Sequence, residues 1–420
     1  MNGAGLRGDD LLRAGRRFGA RPGMLARAFA PGFHKMLDRI NRGLETGAIH
    51  AWLPDDTRRT LGGRAPGFEC EVRVHDWRAL VRLATGGSAG WYQAWEAGEW
   101  SSPDPVPLFA LFMANGVSLG ETGRAKGPWR WAARGLHWVN RNTKSGSRRN
   151  IAAHYDLGSD FYEAWLDPTM AYSSALFAQL PAADGDLGPA QIAKLDALLD
   201  RVAVRAGDKV LDIGCGFGAL AQRAAERGGE VTGISLSRDQ LAWCRSLAIP
   251  AAGSLAFREQ DYRDTDGKFD AIVSVEMVEA LGRQYWPAFM DCLARNLKPG
   301  GRAAVQFISI REELFDGYAN NADFIQAYVF PGGLLIRTSE FRDLAERRGL
   351  IWQDQRDIGQ HYAETLRIWR ERFELAVQEK RLPERFDARF RDLWRYYLMY
   401  CEGGFRGGGI DVSQVTLVKR

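Results

Sequence analysis

The sequence predicts an α/β protein, a doubly wound and mostly parallel sheet with a smaller, mainly helical domain in front of it. Three observations predict it. From about residue 190, apolar strand-like runs alternate with helical patterns at the spacing of βαβ units. The first such run, KVLDIG, enters the glycine loop Gly214-Cys215-Gly216-Phe217-Gly218 just before a helical pattern begins. Ahead of residue 150 the grammar differs, with short helical patterns, Gly and Pro breaks and clustered Trp. The 420 residues, 45% of them hydrophobic, suffice for two or three domains.

In chain order, helical patterns at Gly23 to Phe29 and Phe33 to Leu44 come first. From Glu69 a strand-like alternation passes into a helical pattern, followed over 87–116 by a Gly-rich turn, an aromatic-bearing helix, a Pro-punctuated loop and another helix. The mainly helical domain is therefore set at 1–118, a basic linker at 119–150 and the sheet-bearing domain at 151–420. Within the last, helix 191–204 precedes strand 209–214. Helix 217–227, strand 230–235, helix 238–246, strands 255–261 and 269–275, helix 283–296 and strand 301–310 follow. Residues 311–345, with their FPGG turn, read as an insertion; a helix at 338–348, a strand at 351–359 and a terminal strand in QVTLVKR complete the order.

Composition narrows the function classes. The formal charge is only +4, but residues 1–50 carry nine Arg or Lys against four acids, and 122–149 carry eight with no acid. Such runs suit anionic lipid headgroups, or simply a solvated surface. No zinc-finger spacing or RNP pattern supports nucleic acid as a partner. Five cysteines without CxxC or metal-ligand spacing fit a reducing cytoplasm and no metal site. No apolar window reaches the length of a membrane span.

The glycine loop lacks the phosphate-binding Lys of a P-loop, and GCGFG departs from the G-x-G-x-x-G spacing. It fits an adenosine-containing ligand without a pyrophosphate. The stretch resembles motif I of class I S-adenosylmethionine-dependent methyltransferases. That resemblance places Gly214 and Gly216 at the methionyl part, Ser235, Leu236 and Gln240 at the ribose, and Asp261 and Tyr262 beside adenine. Ser235 stands where Asp or Glu is commoner; helix capping explains it and Gln240 equally.

Further segments narrow the resemblance. HYDLGSDFYEAWLDPTMAYSSALF (154–177), FDAIVSVEMVEALG (269–282), FIQAYVFPGG (324–333), HYAETLRIW (361–369) and YLMYCEGGFRGGGIDVSQ (397–414) together resemble the cyclopropane-fatty-acyl-phospholipid synthase and mycolic-acid methyltransferase family. The resemblance implies a class I methyltransferase fold with a lipid-facing insertion. It also implies methyl transfer from S-adenosylmethionine to a cis double bond in the acyl chain of a membrane phospholipid, and a homodimer. An alkene has no proton to lose beforehand, so a base is needed only after the methyl group has been added. Proton loss from that methyl closes a cyclopropane; other proton losses give methylene or, after a reductase, methyl-branched chains.

In the family a bound bicarbonate serves as base. Glu279 and Tyr362 match two of its ligands, and Tyr172 and Ser173 match the loop that closes on the cofactor. Ser174 replaces the loop cysteine, Gln306 the histidine, and Ala280 a second histidine. A backbone contribution survives at Ser174, whereas Gln306 donates a hydrogen bond but carries no proton. Glu276 reads either as a residue orienting Glu279 or as a surface acid. His154, His361 and Cys401 read equally as packed side chains. Phe161, Trp165, Phe324, Tyr328, Phe330 and Trp369 form either core packing or an apolar acyl tunnel. The expectation is a cytoplasmic enzyme, peripheral on the inner membrane face. A small-molecule methyltransferase and a non-catalytic lipid-binding protein are the alternatives.

Overall fold

The computed structural model describes residues 30–120, 157–321 and 323–420. The expected helix at Gly23 to Phe29, His154 and the basic linker from residue 121 onward lie outside the described residues. The chain forms two compact units.

The first unit has a four-stranded sheet, β1 (Ala48–Trp52), β2 (Arg58–Gly62), β3 (Glu69–Val74) and β4 (Trp100–Ser101), in the order β2-β1-β3-β4. Only β3 is legible in the sequence. Its alternation turns Cys70, Val72 and Val74 inward and the three charged residues between them outward. The Gly-rich turn expected at the start of 87–116 falls at Gly87, whose non-helical backbone (φ 58°, ψ −140°) breaks the helical run Arg78–Glu96 in two.

The chain does not divide at a single point. Segments 313–331 and 384–409, expected in the larger domain, belong to the first unit. Phe324 and Tyr328 surround Tyr92, with ring centroids 4.9 and 4.8 Å away, and Tyr396 lies 5.0 Å from the same ring. These two tunnel candidates are thus core aromatics of the first unit. Gly403, in helix Ala388–Arg406, lets helix Val106–Ala114 approach so closely that an added Cβ would lie 2.4 Å from that of Phe109. Local periodicity marks such segments as amphipathic but does not name the surface they cover.

The second unit is the α/β unit. Its seven strands are β5 (Lys209–Ile213), β6 (Glu230–Ser235), β7 (Ser254–Glu259), β8 (Phe269–Val275), β9 (Leu297–Ile310), β10 (Leu350–Asp357) and β11 (Ile410–Lys419). They lie in the order β10-β11-β9-β8-β5-β6-β7, parallel from β9 to β7, with β11 antiparallel between β9 and β10. Buried residues of helices Leu187–Val202 and Ala219–Glu226, among them Leu198, Leu199, Ala221 and Ala224, pack with Val210, Val231 and Val273 of the sheet. That packing leaves central β5 buried along nearly its whole length. Strand order reverses at β5: β6 and β7 lie to one side, β8 and β9 to the other. Ligands bind at such a reversal, outside the carboxyl ends of the strands.

Candidate active site

A cavity of about 150 Å³ opens at the carboxyl ends of β5 and β8. It is lined by all nine residues that the motif reading assigned to a cofactor, Tyr172 and Ser173 included. Gly214 follows β5 at φ 78°, and a Cβ there would lie 2.6 Å from the Met277 side chain; Gly216, at φ 53°, faces open space. The backbone therefore comes to the cavity unobstructed, as an adenosyl ligand with an aminoacyl tail requires. Asp212 Oδ2 and Tyr262 Oη are buried there without protein partners among the described residues. Burial pushes the Asp212 carboxyl up to about 7, despite the opposing pull of Lys194. Ser235 Oγ donates to Gln240 Oε1 at 3.2 Å, so these two form one polar edge. The Asp261 carboxylate accepts from the Arg263 backbone N–H at 2.9 Å and from its guanidinium at 2.8 and 2.6 Å. It is held by its neighbour rather than left open to a ligand. These residues fit S-adenosylmethionine.

Glu276, which also lines this cavity, gathers a cluster of partners of its own. This residue directly follows β8 with φ 47°, a left-handed conformation uncommon for a side-chain-bearing residue. Its N–H donates to the Gln306 carbonyl at 2.8 Å. Its carboxylate Oε1 accepts from the Ser174 N–H at 2.9 Å and from Gln306 Nε2 at 2.7 Å, and the Tyr362 hydroxyl bonds to the same carboxylate. Burial raises the proton affinity of Glu276, while Ser174, Gln306, Lys194 and Tyr362 pull it partly back. Gln306 is registered opposite Gln414 of β11, whose Nε2 donates to Gln306 Oε1 at 2.9 Å. With its oxygen so occupied, Gln306 presents its N–H₂ to Glu276.

The two carboxylates after β8 have different partners. The resemblance put Glu279, not Glu276, at the anion centre. In the structure, Ser174, Gln306 and Tyr362 converge on Glu276. Glu279 Oε1 instead accepts the Ile308 N–H, and its Oε2 is buried without a partner among the described residues. Burial and the neighbouring Glu276 push Glu279 up to about 8. The strand ends at Val275 and a 3-10 turn spans Val278–Ala280, so a spacing of three does not put both carboxyls on one helical face.

The loop that supplies Ser174 is fastened along its length. Ser174 Oγ donates to the Ala175 carbonyl at 3.0 Å, leaving the backbone N–H as its contribution to the site. Gln191 Nε2 donates to the Ser173 carbonyl at 2.9 Å and Lys194 Nζ to Ser173 Oγ at 2.6 Å. The Ala175 N–H donates to Thr365 Oγ1, and the Phe177 N–H to His361 Nδ1, both at 3.1 Å. Tyr172 stacks on Trp369 at 5.2 Å. Cys401 lies in the first unit, its thiol pushed up by burial. Sequence reasoning missed Lys194 and Gln191. The available signal was two polar residues on the buried face of an otherwise apolar helix.

Comparison with known proteins agrees with the fold. The family described as Mycolic acid cyclopropane synthetase matches residues 142–415. Tuberculostearic acid methyltransferase UfaA1 of Mycobacterium tuberculosis is 37% identical over 381 residues, 86% of each chain. Cyclopropane-fatty-acyl-phospholipid synthase of Escherichia coli is 31% identical over 360 residues, 85% of this chain and 89% of that one. The crystal structure of mycolic acid cyclopropane synthase CmaA1 complexed with SAH and CTAB superposes with a TM-score of 0.60 at 29% identity. It covers 65% of this chain and 98% of that one.

Proposed function

The chain belongs to the mycolic acid cyclopropane synthetase family of S-adenosylmethionine-dependent methyltransferases that modify fatty-acyl chains, and on that premise we propose that it methylates the cis double bond of an unsaturated phospholipid acyl chain to give a methylene-branched product. The observation that carries this reading is the Glu276 carboxylate, bonded by the loop backbone, Gln306 and Tyr362. Those are the positions that the resemblance assigned to a bicarbonate.

When bound, S-adenosylmethionine supplies an electrophilic methyl group. The chain's own residues act once that methyl has reached the alkene. Glu276 is the base: an enclosed carboxylate whose proton affinity is raised by burial is suited to accept the proton. A hydride shift between the two former alkene carbons moves the cation to the methyl-bearing carbon. Glu276 then removes a proton from the added methyl, and the C–H electron pair becomes the double bond of a methylene branch. Had the proton left before the shift, the same pair would have closed a cyclopropane. Gln306, held by Gln414, and the Ser174 N–H keep the carboxylate oriented and ionised between turnovers. Reduction of the methylene to a methyl branch needs two electrons and two protons from a separate reductase.

The name of the relative that is 37% identical specifies a tuberculostearic acid, which supports a branched product over a ring. Cyclopropane formation with bicarbonate as base is the second reading, supported by the Escherichia coli relative. We place the reaction at the inner membrane face, where the basic run 122–149 favours anionic headgroups. Among the described residues no helix is long and apolar enough to cross a membrane. A homodimer rests on the family resemblance alone.

The test incubates cis-monounsaturated phospholipid vesicles with methyl-¹³C-labelled cofactor and reads the acyl product by NMR and mass spectrometry. A methylene branch is expected, at a rate indifferent to bicarbonate removal and lowered about 10²–10⁴-fold in E276Q. A cyclopropane signal that vanishes with bicarbonate refutes the base assignment. No label in any lipid refutes the function.

A further inference from the structure

We infer that Lys194 is a positioning residue for the reaction, its buried ammonium fixing the Ser173–Ser174 loop and holding Glu276 in its ionised form. The inference rests on the reading of Glu276 as the base.

Lys194 lies within helix Leu187–Val202 and is only 1% exposed. An aliphatic residue would fill that position with no desolvation cost, so an ammonium there calls for compensation. Its Nζ donates to Ser173 Oγ at 2.6 Å. Gln191, one turn earlier on the same helix, takes the Ser173 carbonyl at 2.9 Å. The next residue's N–H, that of Ser174, is the one that binds Glu276. Lys194 is thus one residue removed from a direct ligand of the base.

Its charge acts on the same centre. Lys194, Glu279 from the turn after β8, and Tyr362 from helix Gly359–Gln378 act on Glu276; Lys194 is attracted in turn by Asp212 from β5 and by Asp167, itself facing Arg372. Among the described residues two cations line the cavity, and Arg263 is committed to Asp261. Lys194 is therefore the cation that balances Glu276 and Asp212. Burial pulls its ammonium down to about 8, with Glu276 foremost among the acids that hold it up, so it is still charged at pH 7.

The experiment follows kcat against pH for the full-length enzyme on dioleoyl phosphatidylglycerol vesicles, in the wild type, K194M, K194Q and E276Q. Removing the ammonium takes away a force that keeps Glu276 ionised. The acid limb is therefore expected to move to higher pH by about one unit or more in K194M. K194Q carries the same expectation should K194M fail to fold. A lowered rate with an unmoved acid limb assigns Lys194 a packing role and overturns the inference. A wild-type rate in E276Q overturns the reading of Glu276 itself, so the two failures are told apart.

Discussion

Replacing Glu276 by glycine and, separately, by alanine separates its backbone from its carboxylate. Both variants lose the base, and both leave the same donors, from Ser174, Gln306 and Tyr362, to find water in a polar cavity. They differ at the backbone, which sits at φ 47°. A left-handed residue bearing a Cβ costs about 1–2 kcal/mol, and glycine escapes this. Glycine also loses more freedom on folding, roughly 0.5–1 kcal/mol relative to alanine. The difference leaves E276G more stable than E276A by about 1 kcal/mol. Urea unfolding read by circular dichroism measures it as a midpoint difference of a few tenths molar, at the usual slopes of about 1–3 kcal/mol per molar or somewhat more. Labelled methyl transfer into phospholipid should fall about 10²–10⁴-fold in both. If E276A equals or exceeds E276G in stability, the strained backbone has been misread. If either keeps more than a third of the wild-type rate, the carboxylate is not the base.

The other expectations are narrower. G214A puts a Cβ 2.6 Å from Met277 at a φ of 78°, so cofactor affinity should drop at least about tenfold by calorimetry while the sheet still folds; an unchanged Kd refutes the close-approach argument. Glu279 binds its proton more tightly folded, at about 8, than unfolded, at its ordinary 4.5. Between those values the folded chain holds the extra proton, so this group's stabilising contribution is full below about pH 4.5 and is lost as pH rises toward 8, by at most about 1.4 kcal/mol per pH unit. E279Q should therefore gain stability relative to wild type from pH 5 to pH 8, and parallel unfolding curves at the two values would refute the assignment.

The glycine loop was readable because its demands are local: an apolar strand, a turn of small residues and a helix follow one another within about a dozen positions. The same holds for the succession of β5 to β9, and for Ser174, whose backbone contribution does not depend on its side chain. The partners of Glu276 were not legible, because they depend on a positive φ at the end of β8 and on Gln306 arriving from β9, thirty positions later. Lys194 was hidden for a related reason. Its meaning comes from Ser173 and Asp212, which no periodicity within its own helix records. The strands β1, β2 and β4 were missed where short, partly exposed runs lack a full alternation. The two returning segments of the first unit were missed because amphipathicity marks a buried face without naming what buries it.

The placement of β11 sets the order in which the catalytic unit can be completed. Ile310 at the end of β9 pairs with Ile410 at the start of β11, so this ladder closes only after the hundred intervening residues exist. During vectorial synthesis β9 therefore carries an open edge along the strand that bears Gln306, exposed to mispairing with other chains. Only when β11 docks does Gln414 fix the Gln306 amide, and with it the orientation of the Glu276 carboxylate. Nascent chains that have not reached this strand already contain the glycine loop and both carboxylates, but lack the clasp that turns them into a working centre.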